Sequence, residues 1–438
     1  MLKKFLFVPM IAAALVILTA ATAFAMGWVQ EGQYWYYYDA ANNKVVNSWQ
    51  PGNDGEYRYL DYNGRMATNT WVEDNYYVDA DGKMLVSKWA QLNDGGNPYW
   101  FYFTETGKKA KDGWKNIGNN YYHFDDMGHM ETGWILDNMY YCDLNDGHMV
   151  TGWKKLADPD DQYYESDNKV TETSHWYYFA SSGKKVCPGE SSADFIEKKI
   201  DSNRYCFDQY GIMQTGWVKV NENASGIKAY KYYNKDNGAA QTGWLSLNPP
   251  DELSDNYERT VEWFYFSNTG VPEASATENL YASNIRKING KRFLFNNYGT
   301  PVYGLKKVYN DDGSWTAYYF GTVEQSNVQK GKQKVTEPGG KEQVVYLFNN
   351  DGSGYTGVKK KQVFYKGKPQ KADGDKYEVI NIDGHNYFVN ASGTVAVNKT
   401  LKWEGESYQT DDNGCLIKVN GRAYTGTGRA PYEPEFED

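Results

Sequence analysis

Apolar and polar positions alternate in short bursts along this chain, and one phrase of such bursts keeps returning with altered spelling. Residues 120–134 read Asn-Tyr-Tyr-His-Phe-Asp-Asp-Met-Gly-His-Met-Glu-Thr-Gly-Trp, and residues 139–153 answer with Met-Tyr-Tyr-Cys-Asp-Leu-Asn-Asp-Gly-His-Met-Val-Thr-Gly-Trp. The phrase also appears around residues 76–89, 205–217 and 232–244. A period of about twenty residues marks one supersecondary element per unit, stable only when stacked on its neighbours. The Tyr-rich run predicts a first strand. Asp/Asn-x-x-Gly follows as a tight turn at residues 61–64, 79–82, 125–128, 208–211, 349–352 and 411–414, with the acidic or amide side chain accepting backbone hydrogen bonds and Gly taking the positive φ. A second strand is predicted over the residues before Thr-Gly-Trp, often carrying Met (Met66, Met84, Met130, Met149, Met213). Because a lone hairpin is marginal in water, the expectation is an all-β chain, a β-solenoid of stacked β-hairpin repeats of about 20 residues.

Three connections are longer, polar and rich in Pro, Asp and Asn: Trp153 to Trp176, Trp217 to Tyr230, and Trp244 to Trp263. They read as surface loops. The phrase weakens past residue 275, and thirteen of the fifteen tryptophans lie at or before Trp263. The expected organisation is therefore a signal peptide over residues 1–25, aromatic-rich repeats with long loops over 26–275, degenerate and locally basic hairpins over 276–430, and an acidic tail over 431–438, of which residues 433–438 should fray.

Lys3 and Lys4, an apolar run to Leu18 and then Ala23-Phe24-Ala25 have the layout of a secretory signal. No other stretch is apolar enough to span a bilayer, so the mature chain is expected outside the cell, free or held at the wall. Its net charge of −10, lowered further when the two lysines leave, argues against nucleic acid as a partner. The charge is uneven: residues 286–376 hold 17 Lys/Arg against 8 Asp/Glu, which suits either a solvated face or contact with an anionic wall polymer. Aromatics make up 17% of the residues while mean hydropathy is −0.76. Rings in so polar a chain serve as the core of thin units, as binding platforms, or as both. Cys142, Cys187, Cys206 and Cys415 have no metal-ligand spacing, and Cys187 with Cys206 is the pair nearest in sequence for a disulfide.

No catalytic or metal constellation stands out. His129 and His148 occupy one repeat position after the turn Gly, and there is no His-Glu-x-x-His, Gly-x-Ser-x-Gly or phosphate loop. The carboxylates mostly open turns. The reading is of a non-enzyme with no cofactor.

The phrase Gly-Trp…(Trp/Tyr)-Tyr-Tyr-Phe-Asp-x-x-Gly-x-Met-x-Thr-Gly-Trp resembles the cell-wall-binding repeats of Gram-positive bacteria, which include choline-binding modules and the glucan-binding repeats of glucosyltransferases and clostridial toxins. The resemblance is close over residues 27 to about 275 and loose beyond. It implies aromatic boxes between neighbouring hairpins, one ring from the Gly-Trp step, a second from the start of the Tyr run and a third from the next hairpin. On this chain the paired positions are Trp28 with Trp35, Trp49 with Tyr57, Trp89 with Trp100, Trp114 with Tyr121, Trp153 with Trp176, Trp217 with Tyr230, and Trp244 with Trp263. The second ring is missing at Asn75, Met139 and Arg204, and farther on at Arg292, Ala317, Val345 and Asn386. The expected function is attachment to cell-wall or extracellular polysaccharide through these Trp/Tyr platforms. The alternatives are choline on teichoic acid, or a structural spacer or adhesin whose long loops meet a host or bacterial surface protein.

Overall fold

The computed structural model describes residues 26–159, 174–189, 194–340, 342–374 and 376–436. The expected signal segment, residues 1–25, and most of the loop after Trp153 lie outside the described residues. The fold is nearly all β. Among the described residues fourteen sheets have two strands, one has three and one has four, all antiparallel neighbours in sequence. The chain falls into two compact units divided between Lys185 and Val186. The compositional change near residue 275 lies inside the second.

Both units are β-solenoid stacks of hairpins, but the strands pair differently from the expected way. In the tryptophan-bearing repeats the Trp step, Gly-Trp in most of them, opens the first strand and the following Tyr run is its partner. Lys88–Asp94 pairs with Asn97–Phe103, placing Trp89 opposite Tyr102; Gly113–Ile117 pairs with Asn120–Phe124, placing Trp114 opposite His123. In most repeats the Asp-x-x-Gly turn comes after this pair and leads to a one-residue bridge, as in Leu60 with Met66, Val78 with Met84 and Phe124 with Met130; at residues 411–414 it joins the strands Glu406–Thr410 and Leu416–Val419 in the expected way. Alternation alone does not say which neighbour a strand pairs with, and here the pairing is with the strand before the Tyr run.

Turn chemistry is as expected. Asp79 Oδ1 accepts from the N–H of Asp81 and Lys83 at 3.0 and 2.9 Å, and Gly82 closes the turn with φ +74°. The residue at the bridge, the Met position, then joins the repeats. Its backbone N–H donates to a carbonyl in the preceding hairpin: Met66 to Trp35, Met84 to Tyr57, Lys109 to Asn75, Met130 to Trp100, Met149 to Tyr121 and Lys185 to Met139, all at 2.7–2.9 Å. In the second unit Ala240 to Arg204, Val328 to Arg292 and Gly354 to Ala317 repeat the bond at 2.8 Å. The Met side chain reaches the other way, onto the turn glycine of the next hairpin. A Cβ built on Gly82, Gly107, Gly147 or Gly183 would lie within 3 Å of the sulfur of Met66, Met84, Met130 or Met149.

Between these joints lie the rings. One face of each tryptophan-bearing hairpin carries that ring, set against the residue across the strand; the other face carries the buried rings that meet the preceding tryptophan. Trp71 contacts Tyr77 of its own hairpin at 5.4 Å and Phe101 and Phe103 of the next at 4.9 and 5.8 Å. Trp134 treats Tyr141, Tyr177 and Phe179 in the same way, and Trp217 treats Tyr232, Phe264 and Phe266 so. Phe101, Phe103, Phe124, Tyr177 and Phe179 are fully buried.

Three further expectations are corrected. The loop between Trp217 and Tyr230 is not wholly a surface loop: its 3-10 turn Gly226–Ala229 buries Ile227 against Phe264 and Phe266. All four cysteines are free thiols, so Cys187 and Cys206 form no disulfide. Of the tail expected to fray, residues 437–438 lie outside the described residues and residues 433–436 are tied down. Tyr432 exchanges two hydrogen bonds with the buried Gln370, Lys368 Nζ reaches the Glu433 carbonyl at 3.0 Å, and Phe436 lies edge-on to Trp315 at 5.6 Å.

Candidate aromatic binding site

The sequence pairs differ sharply between their two members. The first-slot tryptophans, Trp28, Trp49, Trp89, Trp114, Trp153, Trp217 and Trp244, are half-buried as joint fillers. Six of the second-slot rings stand out: Trp35, Tyr57, Trp100, Tyr121, Trp176 and Trp263 are 40–49% exposed. Tyr230 does not follow them. It is buried, and its hydroxyl donates to the Glu252 carboxylate, which together with burial holds that phenol well above its ordinary range. Both rings of a pair lie on one hairpin face, two residues apart in register. Trp153 with Trp176, Trp217 with Tyr230 and Trp244 with Trp263 touch at 6.4–6.5 Å, near perpendicular.

The second slot has no packing duty that needs a ring. Its structural task is the carbonyl that accepts the next hairpin's Met-position N–H, and Asn75, Met139 and Arg204 perform it as well as Trp35 or Trp100. In the hairpins that follow Tyr230 and Trp263 that position is Pro272 and Pro301, bridged to Phe266 and Phe295, and proline has no N–H to give. An exposed indole or phenol therefore adds a flat apolar platform to a joint already closed by backbone.

The pairs differ in their surroundings. At Trp28 and Trp35 a cleft of about 410 Å³ is completed by Met66 and by Arg58 of the next hairpin. Asp54 at its rim is held far below the usual carboxylate range by Arg58 and Lys83, at 2.8 and 3.0 Å. At Trp217 a cleft of about 640 Å³ contains Tyr230 and Tyr232 and is walled by residues 248–252, with the Trp217 indole N–H donating to the Asn248 carbonyl at 2.8 Å. Two histidines are clasps. His129 lies between Asp94 of the preceding hairpin and Asp125 of its own turn, at 3.0 and 2.9 Å, stacked on Tyr99; His123 meets Glu131 at 2.5 Å. Among the described residues no group of three His, Cys, Asp or Glu is placed to hold a metal, and no helix is long and apolar enough to cross a membrane.

The sequence did not point to one cleft of about 750 Å³ in the second unit, where Tyr257, Tyr298 and Tyr303 surround Arg259 and Glu262. Glu262 is buried, its carboxyl raised by that burial, with Arg259 at 3.3 Å. Only the length of the loop before Trp263 hinted at it.

Residues 43–84 and 111–153 each match a family profile described as the choline-binding repeat. Over these two stretches the chain matches the choline-binding repeat. Both matched stretches fall in the first unit and include the joints of Trp49 with Tyr57 and Trp114 with Tyr121. The chain is also 26% identical over 365 residues to Glucosyltransferase-S of Streptococcus mutans serotype c, a match covering 77% of this chain and 21% of that relative's length. Among solved structures it is similar to the modular autolysin LytC of Streptococcus pneumoniae, at 22% identity and TM-score 0.40 over 65% of this chain and 54% of that one. The choline-binding domain of CbpL from the same species is 23% identical with TM-score 0.34, over 50% of this chain and 98% of that one. Each matched stretch thus holds one joint with an exposed second ring and one without, Trp71 with Asn75 in the first and Trp134 with Met139 in the second.

Proposed function

We propose that the protein is an exported, non-catalytic attachment module that holds to polymers of the Gram-positive cell wall through its exposed second-slot rings. One observation carries this reading: Trp35, Tyr57, Trp100 and Tyr121 stay exposed at a slot whose structural work is done by a backbone carbonyl. Large rings left in water at repeated positions, above a half-buried tryptophan, are suited to taking a ligand's apolar or cationic face. The choline-binding repeat profiles favour a choline-type ammonium as that ligand. The match to Glucosyltransferase-S favours a second reading, in which the same rings stack on neutral glucan. Retention on immobilised choline, on wall fragments and on immobilised dextran separates the two. The double variant Trp100→Ala, Tyr121→Ala is expected to lose retention on the first two supports by tenfold or more while remaining folded. Equal retention of variant and parent would refute the assignment, and retention on dextran alone would transfer it to glucan.

A further inference from the structure

Six joints of the first unit combine a tryptophan of one hairpin with the Met-position side chain of the next. At four of them the tryptophan has an exposed second ring beside it, and the Met position holds methionine: Met66, Met84, Met130 and Met149. At the other two the second ring is replaced by Asn75 or Met139, and the Met position holds Lys109 or Lys185. The ammonium of Lys109 lies 5.0 Å from the Trp71 ring centre and 6.0 Å from that of Phe101. That of Lys185 lies 5.1 Å from Trp134 and 5.7 Å from Tyr177. Ring and lysine thus exclude each other in all six joints.

Packing alone does not call for the charge. The Lys109 stem rests on Gly128, where a Cβ would meet its Cγ and Cδ within 3.4 Å, so its methylenes replace a methionine against the next turn. Methionine does that work in four joints without bringing an ammonium out of water. Desolvation holds the Lys109 amine below its ordinary range, a cost that the electron-rich faces of Trp71 and Phe101 offset. Lys185 is more deeply buried, at 7% exposure.

We propose that Lys109 and Lys185 are resident cations that occupy and close two of the six aromatic seats in the first unit, leaving four open to an external organic cation. This rests on the proposed attachment through the seats and adds the ligand's chemistry: what belongs over the Gly-Trp ring is a positive charge on an alkyl frame. The chain supplies its own where the second ring is absent, and it leaves the place to a quaternary ammonium group where the ring is present.

The test is ¹⁹F NMR of the protein labelled with 5-fluorotryptophan, titrated with choline and with tetramethylammonium. The signals of Trp28, Trp49, Trp89 and Trp114 are expected to move, while Trp71 and Trp134 stay still. In the double variant Asn75→Trp, Lys109→Met, the Trp71 signal is expected to move on the same concentration scale as Trp89. Movement of Trp71 and Trp134 in the unaltered protein, together with the other four, would overturn the closed seats and leave attachment standing. Silence of all six would instead remove the cationic ligand. The lysines are then judged without ligand, by the upfield ring-current shift of their ε-methylene protons and its loss in Trp71→Leu and Trp134→Leu. Ordinary lysine shifts in the parent overturn the proposal.

Discussion

At the scale of single residues, neighbouring positions in one strand have opposite fates. Phe101 and Phe103 are fully buried under Trp71, while Trp100, next to Phe101 and on the opposite face, is 44% exposed. Phe103→Ala is expected to cost about 3–5 kcal/mol in chemical denaturation. Trp100→Ala should stay within about 0.5 kcal/mol of the parent while losing its share of ligand binding. The thiols offer a second contrast. Cys142 is buried and its thiol is pushed up to about 12, so in the native state its thiolate appears only as pH rises toward that value. At pH 8 its alkylation is expected to run roughly a thousandfold slower than in the unfolded chain. Mass spectrometry after iodoacetamide should find Cys142 unmodified until denaturant is added.

At the scale of the element, the joint has two halves that substitutions can separate. The turn glycine needs φ +78° at Gly107 and has Met84 where a Cβ would stand. Gly107→Ala is expected to destabilise by about 1–3 kcal/mol. Adding Met84→Ala should relieve the steric part and leave only the backbone part, so the double-variant cycle reads out their coupling. Much of this element is legible in the sequence. The Tyr runs, the Asp-x-x-Gly turns and the Gly-Trp step each announce themselves by residue type and spacing. Their partners do not, because alternation fits pairing with the strand before or after equally well. The hydrogen bond from the Met position goes to a carbonyl that any residue supplies, so Asn75 and Trp35 look unlike while doing the same work. Tyr230 carried the right signal at the right slot, and only the fold of residues 248–252 reveals that Glu252 covers it. Lys109 and Lys185 become meaningful once their slot is known to face a tryptophan.

At the scale of the whole molecule, the acidic segment 429–436 meets part of the basic stretch that composition singled out. Lys368 is held by Glu337 at 2.9 Å with Glu435 at 3.7 Å, and Lys366 lies over the Trp315 ring at 3.3 Å. Some of the positive surplus is therefore already answered within the chain. Phe436→Ala should expose Trp315, seen as faster acrylamide quenching or a shifted ¹⁹F signal, and lower stability by about 1–2 kcal/mol. Several weak seats along one polymer also act together, because each bound seat raises the effective concentration of the next. Removing two of the four open seats of the first unit is thus expected to weaken wall retention more than the two single losses added, while monovalent choline binding per remaining seat stays the same.

The joint of one backbone bond, one long side chain on one glycine and one tryptophan on the next hairpin's buried rings asks for the same few positions in each repeat. A hairpin excised or duplicated in frame presents the same carbonyl, thioether and glycine to whatever neighbours it acquires, as Met66 with Gly82 and Met149 with Gly183 already do in different surroundings. Unequal recombination within such a gene changes the count of repeats one at a time, and with it the number of seats, without a new interface having to arise. Hold on the wall becomes a quantity that heredity can adjust in steps.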